Sequence, residues 1–365
     1  MSESGVAPRV ADVRLSAFER IPWRRLILIV LAVVMGTVVV VGTYKTLTLD
    51  DAFSLEGWKN LVVQGIAQGA ILAMIALGYS LVYGILRMIN FAHGEVFMAG
   101  AFISFFFIDA YARSGFLNQS PILALSIVLV VAIVSSLSIA VLLERLAYRP
   151  LRNAPRLVPL ITAIGASLFI QNAFRGFFGA QPRGYPQPDV LQGTISILGV
   201  DVRRVYVLVF IVAVVSMLVL RAFVARSRTG RSMRAVAEDR EIASLMGINV
   251  DRTVRTTFAL GGALAGIAAV LYGLAFQQVV FTMGFRPGIA AFTAAVLGGI
   301  GSISGAALGG FTLGILQAVG PQLFLSGFGI PSPNSVRDAF VFLVLVIVLI
   351  YRPGGLLGVS DPEKV

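Results

Sequence analysis

The sequence predicts an all-α fold: a polytopic helical membrane protein of about eight or nine transmembrane helices, with a broken or re-entrant glycine-rich segment near 288–320. Three observations lead there. The chain of 365 residues is 57% hydrophobic and only 13% charged. Its apolar residues gather in continuous runs of about 18 or more, enough to cross a hydrocarbon core roughly 30 Å thick as helices. The alternation of apolar and polar residues that a membrane β-barrel needs is absent.

Long apolar runs occupy 26–44, 61–86, 121–143, 157–174, 204–224, 254–275 and 336–351, with a shorter one at 96–112. The first follows a basic head, as in a signal peptide. The run is long and no A-x-A-like cleavage site precedes Tyr44, so a retained anchor is expected. The run 61–86 contains Gly65-x-x-x-Gly69, and 254–275 contains Gly262-x-x-x-Gly266 followed by Ala269. Such ridges of small residues let helices approach closely, and packing is their first reading. The segment 175–203, with Gly179, Pro182, Pro186 and Pro188, reads as an irregular loop outside the membrane.

Residues 288–320 are too long for one untilted span, and the Gly298–Gly305 stretch is a poor helix, because each interior glycine costs about 0.8–1 kcal/mol relative to alanine. Two short helices meeting at a Gly/Ser break are expected. Irregular backbone at membrane depth survives only when buried in protein or lining a wet cavity. The break is therefore either a tight crossing, helped by Gly301, Gly305 and Gly309, or part of a pathway.

The net charge of +11 would suggest nucleic acid as a partner in a soluble chain. Here arginines cluster in 1–25, 144–156 and 221–255, and the positive-inside rule explains them without nucleic acid. An even number of runs separates each pair of clusters, so all three can lie in the cytoplasm together with the N-terminus. There is no cysteine, and His93 is the lone histidine. Disulfide, thiol and metal-centred chemistry find no residues here, and an intramembrane enzyme would lack a nucleophile–base set.

The polar segment Arg226–Arg255 stands between two apolar runs and is shown to something outside the lipid. Arg234–Met246 lacks proline and glycine and is expected to be one helix, ending at Gly247. Ala235, Val236, Ile242, Ala243 and Met246 share one arc that Asp239 interrupts, while Glu238, Arg240, Glu241 and Ser244 lie outside it. A mixed face suits a protein groove better than a lipid surface, which prefers unbroken apolar residues. A solvated or lipid-surface helix is the other reading.

A second polar motif runs from Arg87 to Glu95. Ionisable groups beside a membrane segment usually face protein or a cavity. Asn90, His93 and Glu95 then form either a gate on a substrate path or a structural His–Glu hydrogen-bonded cap. Gln64 and Gln68 share a helix face, and like Gln171 and Asn172 they are amides in apolar runs. They either join helices or offer donors and acceptors to a zwitterion.

Glu241-x-Ala243-x-x-x-Gly247 has the spacing of the EAA-type loop of ABC importer permeases. With it, MINFAHGEVFMAGAF, LLERLAYRPLR, RAVAEDREIASLMGINVDR and FTAAVLGGIGSISGAALGG resemble the branched-chain amino acid permeases of the LivH type. The resemblance runs from Leu61 to the C-terminus. It implies a permease domain over 61–365, preceded by an added head and transmembrane helix over 1–60. It implies contact with an ATPase through Glu238, Asp239, Arg240, Glu241, Ala243 and Gly247. It favours the path reading of Asn90, His93 and Glu95, which with Gln64, Gln68, Gly299, Gly301, Ser302 and Gly305 from the residue reading are the candidates for the substrate path. The implied partners are a homologous second permease of the LivM type, two ATPase subunits that carry ATP and Mg, an external substrate-binding protein and membrane lipid. The implied location is a bacterial inner membrane.

This chain has no Gly-x-x-x-x-Gly-Lys-Ser/Thr phosphate loop, so ATP hydrolysis is expected on other subunits and no cofactor on this one. Permeases for urea and short-chain amides share the architecture and remain an alternative. An ion-coupled secondary transporter would use buried carboxylates; Glu95, Asp109 and Glu144 are the few available.

Overall fold

A computed structural model describes residues 23–48, 54–152, 154–155, 157–197, 199–330, 333–352 and 354–357. The basic head up to residue 22 and Arg156 of the linker lie outside the described residues. The chain divides into two compact units, Met1–Ala52 with Leu323–Pro331, and Phe53–Gln322 with Ser332–Val365.

In the first unit the helix α1 (Trp23–Thr48) meets the turn Ser326–Phe328. The Thr46 hydroxyl accepts the Gly327 N–H at 2.8 Å, and the Lys45 ammonium lies over the Phe328 ring.

The second unit begins with α2 (Leu55–Leu86), α3 (His93–Arg113), the single turn α4 (Phe116–Gln119) and α5 (Pro121–Leu143). A π-helical turn Glu144–Tyr148 and a 3-10 turn Arg149–Leu151 lead to α6 (Leu157–Phe178). Strands β1 (Arg183–Gly184), β2 (Thr194–Ile197) and β3 (Val200–Arg203) precede α7 (Arg204–Arg226), α8 (Arg228–Glu238), α9 (Arg240–Leu245) and α10 (Val250–Phe276). Then come β4 (Gln278–Val279), α11 (Phe285–Gly298), α12 (Ile303–Leu325) and α13 (Arg337–Tyr351). Among the described residues seven helices are long and apolar enough to cross a membrane, and Ala32–Thr48 and Phe285–Gly298 are shorter apolar helices.

Burial orders these helices. The most apolar stretch of α2 is 89% buried and that of α10 72%, whereas that of α6 is 11%. Thus α2 and α10 form the centre, with α3 and α5 packed on α10. The outer helices turn Ile122, Val130, Ile161, Phe169, Ile211 and Val219 outward, an apolar surface suited to lipid. The glycine ridges act as packing surfaces. A Cβ on Gly262 would press on Leu137 and Ala140, and one on Gly266 would overlap the backbone at Ala132, so α10 meets α5 nearly backbone to backbone. Gly65 and Gly69 likewise lie against Gly314, Gly310 and Phe311 of α12.

One expectation changes and another holds. The segment 175–203 is not an irregular loop. Its strands β2 and β3 form an antiparallel hairpin, and β1 pairs with β4 beyond α10. Alternating Thr194, Ile195, Ser196, Ile197 before a glycine turn is a short strand pattern that the prolines overshadowed. The glycine-rich run does break, at Gly299 (φ 108°) and Gly301 (φ 91°), into α11 and α12. The last carbonyls of α11 are then satisfied by another part of the chain, with the N–H groups of Leu356 and Leu357 donating to Leu297 and Gly298 at 2.8 and 2.9 Å.

Candidate functional site

The polar insert folds as two helices rather than one. Ser227 caps α8, its hydroxyl accepting the Gly230 N–H at 2.9 Å. Asp239 then leaves the helical conformation (φ −149°, ψ 120°) and its carboxylate accepts the N–H groups of Glu241 and Ile242 at 2.8 and 2.9 Å. An aspartate that can cap a new helix competes with continuation of the old one, which is why the single helix expected over Arg234–Met246 is interrupted. Gly247, at φ +81°, ends α9 with the Ile248 N–H donating back to Ala243 at 3.0 Å.

The break divides the expected apolar arc. Met233, Val236 and Ala243 are buried against the helices behind. Ile242, Leu245 and Met246 are 59%, 86% and 77% exposed, as are Glu238, Asp239, Glu241 and Gly247 in the main. One side of this segment belongs to the fold and the other is open.

Arg240 joins the two. Its guanidinium donates to the Ile85 carbonyl at 3.2 Å from Nε and 2.7 Å from Nη2. That carbonyl belongs to the last turn of α2, where carbonyls lack intrahelical partners and a cation is favoured. Partial burial and the nearby Arg152 and Arg87 lower the Arg240 pKa. A guanidinium stays charged nonetheless. Arg152 bridges buried Glu144 to Asp251 in the first turn of α10, and Arg149 meets the same Asp251 at 2.5 Å. Tyr148 donates to Asn90 Oδ1 at 2.8 Å. The Arg234 guanidinium folds back to the Val224 carbonyl at the end of α7. At one arginine-rich end α9 is thereby tied to α2, α8 to α7, and the turn after α5 to α10, and Arg87, Arg152 and Arg240 line a cavity of about 420 Å³ there.

The residues expected on the substrate path lie in three places. Asn90, His93 and Glu95 are all buried. The expected His–Glu cap does not form, because residues two apart on a helix face nearly opposite ways. His93 stands edge-on to Tyr79, with centroids 4.9 Å apart, above Gly78, where any Cβ would overlap the imidazole. Glu95 turns to α6, where Ser167 donates to Oε1 at 3.3 Å, while Oε2 has no partner. It lines a cavity of about 250 Å³ with Ser167 and Gln171.

The α11–α12 break forms the second place. The Ser80 hydroxyl accepts the Gly301 N–H at 3.4 Å, and Ser302 accepts that of Gly305 at 3.1 Å. Gly301 and Ser302 line a cavity of about 350 Å³ with Arg221 and Arg234, and Gly299 lies just behind them in the turn. Gln68 is in a third cavity, of about 360 Å³, at the opposite end of the unit, beside Gln317, Arg337 and Asp338. Gln64, half-buried one turn away, does not line it.

Several residues escaped the sequence reading. Gln317 is an amide in an apolar run and carried the same signal as Gln68. Arg337 and Asp338 open the last apolar run. Tyr185 had no signal: from the loop beyond α6 it is buried against Gly273, with its hydroxyl 3.1 Å from Ser104 and its pKa raised by burial.

A set of membrane-length helices holding polar cavities at both ends, with an arginine-rich collar around an exposed short helix, defines a multi-pass membrane transport protein. Residues 61–349 match the family described as the branched-chain amino acid transport system permease component, and the chain belongs to that family. It is 43% identical over 307 residues to the high-affinity branched-chain amino acid transport system permease protein BraD of Pseudomonas aeruginosa, covering 83% of this chain and 97% of that protein. It is 40% identical over 306 residues to the corresponding LivH of Escherichia coli K12, covering 82% and 96%. Among solved structures, PsaBC from Streptococcus pneumoniae in complex with Fab aligns at 13% identity and a TM-score of 0.42, covering 81% of this chain and 92% of that one. That likeness is too slight to carry an argument.

Proposed function

We propose that this chain is one of two permease subunits of an ATP-driven importer for branched-chain amino acids in a bacterial inner membrane. Its N-terminus and arginine-rich end face the cytoplasm. Substrate comes from an external binding protein, and ATP and Mg are held by two separate ATPase subunits. A homologous second permease completes the path. The names of the relatives support the substrate class, and the gathering of the arginines of 144–152 and 221–240 at one end supports the orientation.

The observation that carries the coupling is α9. It exposes Ile242, Leu245 and Met246 in a row while Arg240 fastens its other side to α2. Fully burying one such side chain is worth about 1.5–3 kcal/mol, though association returns only part of that. Closure of the ATPases pushes α8 and α9, and the push reaches α2 through Arg240 and α10 through the direct packing of α8 and α9 against it. The Gly299–Gly305 break and the Asn90–Glu95 segment respond because they pack on those same helices.

A pull-down of the tagged chain from mild detergent tests this. Recovery of an ATPase and a second permease, and their loss in Glu241→Lys, is the expected result. Recovery of the chain alone, with uptake that survives ATP depletion, overturns the reading.

A further inference from the structure

We infer that the cavity between Gln68 and Arg337 recognises the zwitterionic head of an aliphatic α-amino acid, an inference that rests on the function proposed above and locates its substrate. The cavity holds about 360 Å³. Ligand pockets run from roughly 300 to 1,000 Å³, so this one suits an amino acid and is too small for a long peptide.

Its polar groups are mismatched among themselves. Arg337 donates to Gln68 Oε1 at 3.4 Å, yet its Nε is buried without a partner and, among the described residues, it forms no ion pair. Gln68 is 8% exposed and its Nε2 is also unpartnered. A buried donor left empty has lost its water and gained nothing in return, so both favour a ligand acceptor. An ionised carboxylate is acceptor-only with about four lone-pair sites and can serve both. A guanidinium is the side chain best shaped to hold it.

Asp338 supplies the opposite pole. Its partner Arg286 lies 3.3 Å away, and the two side chains are 80% and 50% exposed for Arg286 and Asp338. Such an exposed pair is weak because water screens both charges, so Asp338 is free to turn to an ammonium group. Two guanidiniums and one carboxylate disfavour a simple cation, and a simple anion would leave Asp338 unused. Ile71, Leu72 and Ala290, with Phe276 and Pro287, give the wall an apolar part that takes an aliphatic side chain.

Placement agrees with the chemistry. The cavity is built from α2, α10, α11, α12 and α13, and it lies at the end opposite α9. The central helices α2 and α10 thus touch both the zwitterion cavity and the arginine-rich collar, so one motion of that pair changes both.

The test uses the full chain purified in mild detergent, with its thermal unfolding followed alone and with L-leucine, isocaproate (no ammonium) or isoamylamine (no carboxylate). L-leucine is expected to raise the midpoint more than either analogue. Arg337→Gln and Gln317→Leu are expected to weaken the L-leucine response at least tenfold in concentration. Asp338→Asn is expected to make L-leucine and isocaproate equivalent, and Arg337→Lys controls for folding by keeping the charge. No response of the wild type to L-leucine, or one unchanged in the folded variants, overturns the inference. Leucine uptake by cells carrying the whole system separates the two claims. Uptake by the wild type with unchanged KM in the variants discards this cavity alone, whereas no leucine uptake at all discards the proposed function.

Discussion

The Arg240 guanidinium holds the Ile85 carbonyl at 2.7 Å across 155 positions of sequence, and this contact joins the exposed helix α9 to the end of the central helix α2. It is placed to carry force in both directions, because α2 also lines the cavity at the far end of the unit through Gln68, Ile71 and Leu72.

Arg240→Gln should lower uptake about tenfold, the equivalent of about 1.4 kcal/mol, close to the lower bound of about 1.5 kcal/mol for hydrogen bonds to charged groups. The amount of protein in the membrane should not change. Arg240→Lys keeps the charge but loses the two-nitrogen grip and should fall between. Uptake rates normalised to immunoblot intensity check this, and equal uptake in all three proteins would remove the contact from the coupling path.

Gly247 sits at φ +81° with no atom near a would-be Cβ, so a substitution there meets backbone strain and no collision. Gly247→Ala should cost roughly 1–2 kcal/mol of local stability, seen as faster proteolysis around residue 247. Gly247→Arg should in addition abolish ATPase recovery in the pull-down while the protein remains inserted.

Tyr148→Phe leaves buried Asn90 Oδ1 without its donor. The expected loss is about 1–3 kcal/mol, read as a lower unfolding midpoint in detergent. The double variant Tyr148→Phe, Asn90→Leu removes the orphan and should recover part of it. A midpoint unchanged in the single variant would mean that water replaces the hydroxyl.

Gly266→Leu should prevent α10 from seating on α5, because the new side chain starts inside the Ala132 backbone. Membrane accumulation of the variant should collapse. Gly165→Leu, on α6 with nothing near its Cβ, should accumulate as the wild type does. Equal accumulation of both would contradict the close packing of α5 and α10.

Much of the architecture is local chemistry and is legible in the chain. Apolar run length sets the helices. Gly262 and Gly266 mark a face where two backbones meet, Gly247 marks a helix end, and the string Gly298–Gly305 marks a break. Each depends on residues within a turn or two, which is the range over which helical periodicity and backbone strain act. Asp239 shows where that range ends. As a sequence position it only roughens an apolar arc, and its capping of α9 is decided by the backbone N–H groups it reaches.

The tertiary structure decided which polar residues share a place. Asn90, His93 and Glu95 are near neighbours in sequence, yet helix geometry sends His93 to Gly78 and Glu95 to Ser167. Gln68, Gln317 and Arg337 are far apart in sequence and converge on one cavity. The partner of Arg240 is a main-chain carbonyl, which no residue type announces. Sequence alone determined a polytopic helical chain with an exposed polar insert, because burial in lipid acts on each segment separately. The pairing of the insert with α2, and of the amides with Arg337, depends on which helix faces meet, and only the packed structure sets that.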